Sequence, residues 1–377
     1  MRCFVAIVGT VCLVAAACGT ERPNPDERPE QIASVPAAEE PAPTPEPTSP
    51  DTPVAPASAA PERAPEDRAT LAVGDDFSCA VHAAAVWCWG DATKGQLGLR
   101  ARRAGAANGP VRVAQDAVAV AAGEAHACAI LATGRATCWG TREGATRAAL
   151  PAQLASIEVL GVSAGGGRSC VRSVHGDILC VEPDGTVDTR PLPGPMASAV
   201  QVGGHHACAR FLDGRVHCWG DDLRGGLGAS QATGVQRLAL GSTHTCALLP
   251  DGVVRCWGDL HPDRRQSTAI PGPFDRATDA ASVAVGGMHT CVFLGGGETR
   301  CTDVVQERVW PSGARGRAVS PEVVLPDGTV EVALGRSHHC VRDAAGAVSC
   351  WGNDDHAQSS GTTGEDYRAE PVSVPLP

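Results

Sequence analysis

From residue 69 onward, short runs of valine and alanine alternate with glycine, proline and polar residues. Runs of this length, bounded by turn residues, are typical of β-strands. The clearest case lies between Cys208 and Cys218, where residues 209–211 and 215–217 flank the turn Leu212-Asp213-Gly214. The pattern predicts an antiparallel hairpin whose three-residue loop ends in a left-handed glycine.

Counting outward from that loop places Cys208 directly opposite Cys218. The same unit recurs, because 14 of the 17 cysteines form seven pairs, six of them ten positions apart and the first nine. The pairs are Cys79/Cys88, Cys128/Cys138, Cys170/Cys180, Cys208/Cys218, Cys246/Cys256, Cys291/Cys301 and Cys340/Cys350. Opposed residues on antiparallel strands have Cα atoms about 4.5 to 5.5 Å apart, which a disulfide tolerates. We therefore expect seven disulfides, each within its own hairpin. A zinc site would need cysteines from separate repeats, so we expect no metal and no cofactor.

The turns of these hairpins differ between the first unit and the others. A glycine stands four residues before the second cysteine in six units, where a left-handed backbone costs glycine nothing. These residues are Gly134, Gly176, Gly214, Gly252, Gly297 and Gly346. The first unit has no such glycine, and its loop is drawn from residues 82–85. For that unit we predict a four-residue turn.

The spacing of the units predicts the architecture. Their first cysteines are 49, 42, 38, 38, 45 and 49 residues apart, a period typical of stacked or circular repeats. An open solenoid usually needs distinct polar caps, and none is visible here. We therefore predict an all-β fold, a seven-bladed β-propeller over residues 69–377 with one disulfide inside each blade. The tail, residues 370–375, echoes residues 109–113, and we expect it to complete the ring near the first repeat.

Tryptophan and histidine recur at fixed places in the unit. The tryptophans of five Cys-Trp-Gly motifs are interpreted as packing anchors between neighbouring repeats: Trp89, Trp139, Trp219, Trp257 and Trp351. Five histidines follow a glycine at a constant offset: His126, His206, His244, His289 and His338. A residue used once per repeat is most simply a hydrogen-bond partner that stabilises the blade. The sequence has no His-Glu-x-x-His, Gly-x-Ser-x-Gly or Walker motif, and we predict no catalytic residue.

The first residues have the features of an export signal. Met1-Arg2 is basic, Phe4–Ala17 is apolar, and small residues precede Cys18. This arrangement resembles the lipobox of bacterial lipoproteins, which implies a signal peptide over residues 1–17 and a lipid on Cys18. The alternative is a plain secreted protein cleaved after Ala17. A retained helix would be short for a membrane span.

Residues 18–68 are predicted to form a disordered tether. From Gly19 to Arg68 the chain holds 13 prolines, 11 acidic and four basic residues, which gives a net charge of 4 − 11 = −7. Such a composition buries too little apolar surface to fold. The whole chain carries a net charge of −11 and only one lysine, Lys94, so no basic face suggests nucleic acid.

Together, the Gly-x-x-His-x-Cys, Asp-Gly and Cys-Trp-Gly elements resemble the regulator of chromosome condensation repeat. So does the segment Lys94-Gly95-Gln96-Leu97-Gly98. The resemblance covers all seven units and implies a seven-bladed propeller. It departs from the pattern in the added cysteine pairs, in Phe77 and Arg168, which replace histidine, and in the third and sixth units, which lack the tryptophan.

Residues outside the recurring positions of the repeat are the candidates for function. The longest irregular link lies between Cys301 and Glu331, and its candidate contact residues are Arg308, Trp310, Arg315 and Arg317. We expect a binding module, anchored by lipid to the bacterial outer membrane or cell surface, that recognises a protein or envelope polymer through its rim loops. One alternative is an envelope enzyme that acts on glycan or peptide at the propeller mouth. Others are an inhibitor of an exported enzyme, since relatives of the family include a β-lactamase inhibitor, and a GTPase exchange factor, which export disfavours.

Overall fold

The computed structural model describes the propeller and the residues just before it. The described residues are 66–98, 109–141, 150–189, 191–221, 226–259, 267–273, 279–287, 289–295, 298–301, 305–309, 315–319, 325–326, 328–362 and 367–377. All of them belong to one unit, Pro61–Pro377. The predicted signal peptide, Cys18 and the tether as far as Pro65 lie outside them. Within the described part of the chain, no helix combines the length and hydropathy needed to cross a bilayer.

Seven antiparallel sheets, called blades one to seven in chain order, each contain one of the predicted units. Blade one comprises β1 (Leu71–Val73), β2 (Phe77–His82), β3 (Ala85–Gly90) and β4 (Val111–Gln115). Blade two comprises β5 (Ala117–Ala122), β6 (His126–Leu131) and β7 (Ala136–Gly140). Blade three comprises β8 (Val159–Gly165), β9 (Arg168–Ser173), β10 (Ile178–Val181) and β11 (Val187–Asp188). Blade four comprises β12 (Ala197–Val202), β13 (His206–Phe211) and β14 (Val216–Gly220).

The remaining blades follow the same order. Blade five comprises β15 (Arg237–Leu240), β16 (His244–Leu248), β17 (Val254–Asp259) and β18 (Ser267–Pro273). Blade six comprises β19 (Ala280–Gly286), β20 (His289–Leu294) and β21 (Thr299–Cys301). A separate two-stranded sheet, β22 (Val305–Val309) and β23 (Arg315–Val319), comes next. Blade seven comprises β24 (Thr329–Leu334), β25 (His338–Asp343), β26 (Val348–Asn353) and β27 (Tyr367–Ser373). The described helices are α1 (Ala152–Ala155) and two 3-10 turns, Glu66–Arg68 and Gly226–Gln231.

The apolar core lies between neighbouring blades. Phe77 and Val86 of blade one, for example, pack in one cluster with Val120 and Ala127 of blade two. Similar clusters join blades two and three, three and four, four and five, and five and six. Because each blade covers its apolar face with the next one, the predicted seven-bladed propeller is confirmed.

The hairpin register is the one that the cysteine spacing predicts. Cys208 stands opposite Cys218, and Arg210 opposite Val216, across a three-residue loop. Six of the predicted pairs form disulfides with Cα atoms 4.0 to 4.1 Å apart: Cys79–Cys88, Cys128–Cys138, Cys170–Cys180, Cys208–Cys218, Cys246–Cys256 and Cys340–Cys350. In blade six Cys291 is disulfide-bonded, and Cys301 stands opposite it on the neighbouring strand.

The turn glycines also connect one blade to the next. Gly134, Gly176 and Gly214 have φ values of 76°, 82° and 76°, as a left-handed loop end requires. Each of their carbonyl oxygens accepts a hydrogen bond from the next blade, where the donors are the amides of Val159, Ala197 and Val235 at 2.8, 3.2 and 2.9 Å. These hydrogen bonds therefore fix the position of each hairpin tip against the start of the next inner strand.

The first hairpin differs from its prediction. His82 pairs with Ala85, so the turn contains only Ala83 and Ala84, with φ values of 47° and 56°. The predicted four-residue turn is wrong. Cysteines nine positions apart can oppose each other only if the loop has an even number of residues. Two residues in left-handed conformation match the twist of the flanking strands.

The cysteine-flanking tryptophans include two that make hydrogen bonds between blades. The indole N–H of Trp139 in blade two donates to the carbonyl of Gln96, which lies between β3 and β4 of blade one, at 2.6 Å. Trp89 in blade one donates in the same way to the carbonyl of Gln358, which follows the Cys-Trp-Gly motif of blade seven, at 3.0 Å. Their predicted role as anchors between repeats is confirmed.

The tail closes the ring as the sequence echo suggested. Val372 pairs with Cys350 just as Val111 pairs with Cys88, so both segments are the outermost strand of a blade. Beyond that strand, Val374 packs in a cluster that also contains Leu71, Trp89 and Cys340 from blades one and seven. Before the first strand, Asp67 is fully buried, two residues ahead of the predicted boundary at residue 69.

Candidate functional site

The inner strands of all seven blades line a central channel with a volume of about 690 Å³. Its wall consists largely of small residues such as Ala122, Ser163, Ala239 and Ala284. Seven strands that converge on one axis leave little room for longer side chains. The channel wall therefore offers few groups able to carry out acid–base or nucleophilic chemistry.

One carboxyl group at the channel mouth has an unusual environment. Burial, and to a lesser degree the charge of Glu124, raise the pKa of Asp75 to about 6. Arg336 is its nearest cation, 3.9 Å away and largely exposed. Within the part of the chain that the structure describes, no group of three or more His, Cys, Asp or Glu side chains could hold a metal ion. Asp75 therefore lies in a polar rim beside Glu124 and Arg336.

The recurrent histidines lie at the boundaries between blades. All five are buried, and in four of them Nε2 lies at hydrogen-bond distance from a hydroxyl oxygen on the next blade. These contacts are His126–Ser169 at 2.8 Å, His206–Thr245 at 2.6 Å, His244–Thr290 at 2.6 Å and His338–Ser78 at 2.7 Å. In every case the hydroxyl residue directly precedes the first cysteine of its hairpin. The predicted stabilising role is confirmed, and it acts between blades.

The glycine of the Gly-x-x-His motif makes room for the imidazole ring. A Cβ atom on Gly123 would lie 2.3 Å from Cε1 of His126, and one on Gly241 would lie 3.0 Å from Cε1 of His244. The close approach explains why the two residues recur together. The motif is therefore used for packing at the blade boundary.

Where a blade lacks the histidine, the next blade lacks the hydroxyl as well. Phe77 replaces the histidine of blade one, and the matching residue of blade two is Ala127. Arg168 replaces it in blade three, where its guanidinium binds both carboxylate oxygens of Glu182 at 2.7 to 2.9 Å. The matching residue of blade four is again alanine, Ala207.

Burial favours the neutral form of the histidines at the later blade boundaries. Removal from water lowers the pKa of His244 to about 3 and that of His338 to about 4. Between blades six and seven a second histidine takes the place of the hydroxyl, and the rings of His289 and His339 lie edge to face, 5.1 Å apart. Burial lowers the pKa of both groups.

The exposed face at the hairpin tips has a different composition. Among the described residues, six large apolar side chains are exposed, and five of them lie beside hairpin turns: Val118, Leu160, Met196, Leu212 and Val330. Val118, Leu160 and Val330 stand at the irregular second position of their inner strands, where the register shifts by one residue. We call this surface the hairpin face. Sequence reasoning missed it, although the bulge position recurs in each of these repeats.

The turns of the same face carry exposed carboxylates. Asp116, Glu158, Asp177, Asp213 and Asp251 are exposed in or beside the turns. The exposed arginines of the same turns are Arg135 and Arg215, and Arg215 is already paired with Asp213 at 2.6 Å. The hairpin face is therefore apolar and acidic.

Three of the predicted contact residues lie on the separate two-stranded sheet. Arg308 is on β22, while Arg315 and Arg317 are on β23, where Glu307 stands opposite Arg317. Trp310 lies outside the described residues. The predicted irregular link is thus partly a hairpin of its own, inserted between blades six and seven.

Comparison with known families identifies the repeat. Models of the regulator of chromosome condensation (RCC1) repeat match residues 84–130, 197–225 and 235–259. These segments of blades one, two, four and five therefore match the RCC1 repeat, which confirms the resemblance seen in the sequence. No match was found among curated proteins.

Solved structures share the fold at low sequence identity. Prp20p from Saccharomyces cerevisiae, described with its binding to Gsp1p and histones, has 17% identity and a TM-score of 0.62 over 82% of this chain and 88% of its own. Human WBSCR16 has 17% identity and a TM-score of 0.61 over 78% of this chain and 95% of its own. The CRINKLY ectodomain of the Arabidopsis thaliana receptor kinase ACR4 has 19% identity and a TM-score of 0.54, covering 82% and 98%.

Proposed function

Because segments of the chain match the RCC1 repeat, in a closed ring with disulfides in its hairpins, we propose that the protein is a non-catalytic binding propeller that works outside the cytoplasm. Disulfides persist in oxidising compartments and are rare in the cytosol, so the cysteine pairs support export. The propeller recognises a protein partner through the loops of its rim. RCC1-like propellers are commonly used for protein binding, as the description of Prp20p with Gsp1p and histones illustrates.

The observation that carries the proposal is the hairpin face. Folded proteins rarely leave several large apolar side chains together at one surface without a use for them. Val118, Leu160, Met196 and Leu212 follow one another over blades two to four, with exposed carboxylates in the turns of the same face. A complementary partner surface presents apolar side chains within a basic rim.

The experiment places a photo-crosslinking amino acid at Leu212 in the full chain, expressed in its source cells. The matched control is Tyr367, the one exposed large apolar residue of the described set that lies on an outer strand, away from the turns. We expect a discrete protein adduct from position 212 and none from 367. Leu160→Asp with Met196→Asp should abolish that adduct. Equal labelling from both positions, or an adduct that survives these substitutions, would contradict the proposal.

The inserted hairpin remains a second candidate contact on the same propeller. Its predicted residues are Arg308, Trp310, Arg315 and Arg317, and Trp and Arg are frequent in the centres of interfaces. Trp310→Ala in the crosslinking experiment separates the two surfaces. Loss of the adduct from position 212 in this variant would extend the contact to the inserted hairpin, and an unchanged adduct would exclude it.

Anchoring through Cys18 is a further part of the proposal, supported by the lipobox-like segment before it. Cells fed a radiolabelled fatty acid should label the full chain, and Cys18→Ser should lose the label while its disulfides still form. Cys12→Ser, within the apolar segment, is the control that should keep the label. Full labelling of the Cys18→Ser protein would place the lipid elsewhere or remove this part of the proposal.

A further inference from the structure

The residues that precede the first strand lie across one end of the channel. Asp67 belongs to the 3-10 turn Glu66–Arg68 and is 0% exposed. Its carboxylate accepts hydrogen bonds from the guanidinium of Arg172 in blade three at 2.7 and 3.1 Å. The amide of Val200 in blade four donates to the same carboxylate at 3.3 Å. A residue outside every blade is therefore held by two of them.

The next residues bind blades two and seven. The carbonyl of Ala69 accepts from the amide of Val120 in blade two at 2.8 Å. Thr70 donates its amide and its hydroxyl to the carboxylate of Glu331 in blade seven at 2.7 and 2.6 Å, and Leu71 donates its amide at 3.0 Å. In a ring of seven, blade seven faces blades three and four. Three residues extend about 10 Å, which is enough to bridge a narrow channel.

Blade three has a place made for this carboxylate. Gly161 stands opposite Arg172 in the strand register, and a Cβ atom on Gly161 would lie 1.9 Å from the carboxylate oxygen of Asp67. The φ of Gly161 lies outside the left-handed region, so the backbone conformation does not require glycine. The missing side chain is the space that Asp67 occupies.

Blade seven has an acidic side chain at the position that corresponds to Gly161. There Glu331 stands opposite Arg342 in the equivalent register and forms an ion pair with it at 2.6 Å. Blade three keeps the arginine, but its inner strand has glycine in place of the acid. The carboxylate that pairs with Arg172 comes instead from the segment before blade one.

We propose that Arg172, Gly161 and the amide of Val200 form a carboxylate-binding socket, and that residues 67–71 are its intramolecular ligand, a latch that closes one end of the channel. The latch ties β1, a strand of only three residues, to blades two, three, four and seven. This inference stands independently of the proposed binding function.

The test compares three variants of the full chain by amide hydrogen exchange and thermal unfolding. Asp67→Asn leaves the buried guanidinium of Arg172 without its anion, so we expect a lower Tm. The amides of Val120, Val200 and Thr70 should exchange at least tenfold faster. Asp116→Asn, which removes an exposed carboxylate at the same end, is the control and should change neither quantity.

The double variant Asp67→Asn with Gly161→Glu separates the latch from the ion pair. Its new glutamate should pair with Arg172 as Glu331 pairs with Arg342, and should recover at least half of the lost Tm. The amides of Val120 and Thr70 should stay fast, because the glutamate fills the socket. The proposal is overturned if the amides of Val120 and Thr70 exchange as slowly as in the wild type, either in the double variant or in Asp67→Asn alone.

Discussion

Nε2 of His338 lies 2.7 Å from the hydroxyl oxygen of Ser78, and this hydrogen bond joins the last blade of the ring to the first. Both side chains are fully buried. The same pairing of histidine and hydroxyl connects three other pairs of neighbouring blades, and where histidine is replaced by Phe77 its partner position holds Ala127. Across each of these boundaries, histidine thus faces a hydroxyl residue, and phenylalanine faces alanine.

Removing one member of the closing pair should destabilise the propeller. His338→Ala leaves a cavity and an unsatisfied hydroxyl, and we expect the free energy of unfolding to fall by about 3 kcal/mol. Urea unfolding at neutral pH, with the disulfides intact, measures this change. His175 is exposed, so His175→Ala is the control. An equal effect of both substitutions would contradict the stabilising role of His338.

Restoring a matched apolar pair should recover part of that loss. His338→Phe with Ser78→Ala reproduces the pair Phe77–Ala127 at the closing boundary. An apolar pair leaves no buried polar group without a partner, so we expect less than half of the destabilisation of His338→Ala. A double variant as unstable as His338→Ala would show that the ring needs the hydrogen bond itself.

The disulfide inside one hairpin should contribute measurably to stability. Cys246 and Cys256 close a loop of about 11 residues, which the chain-entropy model values at up to about 2.8 kcal/mol. Cys246→Ala with Cys256→Ala should lower the urea midpoint in proportion. Reduction of the wild type should lower it further, because the other bridges are lost too. An unchanged midpoint in the double variant would mean that the surrounding strands already restrain the loop.

The turn of the first hairpin should improve with glycine. Ala84 has a φ of 56°, a conformation that costs an alanine about 1 kcal/mol. Ala84→Gly should therefore raise the free energy of unfolding by up to that amount. Ala132→Gly, in the corresponding loop of blade two, has no positive φ to relieve and should be neutral or slightly destabilising. Thermal unfolding of both variants checks the difference.

Stability should fall as the pH drops below about 6.5. In the folded protein the pKa values of His244 and His338 are about 3 and 4, against 6.5 for a histidine in the unfolded chain. At a pH between the folded and the unfolded pKa, the unfolded chain binds protons that the folded chain does not. Each such group changes the stability by about 1.4 kcal/mol per pH unit. Asp75 acts in the opposite direction, because its raised pKa of about 6 adds stability that is lost as the pH rises.

Urea midpoints between pH 7.5 and 4 measure this slope. The several buried histidines outweigh the single carboxyl group, so the midpoint should decrease continuously with acidification. His338→Phe with Ser78→Ala removes one titrating group and should make the decrease shallower. A midpoint that stays constant down to pH 4 would contradict the assigned burial.

The repeat itself was predictable because its signals are local. Cys208 and Cys218 are ten residues apart across a turn with a glycine, and strand geometry then forces them to face each other. The turn of the first hairpin was missed because a spacing of nine fits a loop of two or of four residues, and only the structure shows that Ala83 and Ala84 take the left-handed conformation of the shorter turn. The hairpin face was missed because Val118 and Leu160 look like strand residues, and only the shift in register turns them outward.

The order of blades, the cysteine pairs and the turn glycines follow from the sequence alone, because each depends on residues less than a dozen positions apart. Tertiary structure decided which residues meet across the ring. Nothing near Asp67 in the chain indicates that its carboxylate binds Arg172, which is 105 positions away. Nor does the sequence around Ser78 indicate His338. Such contacts arise only when seven units close on one axis, and the energy of burying each charge or polar group is then set by whatever the closure brings beside it.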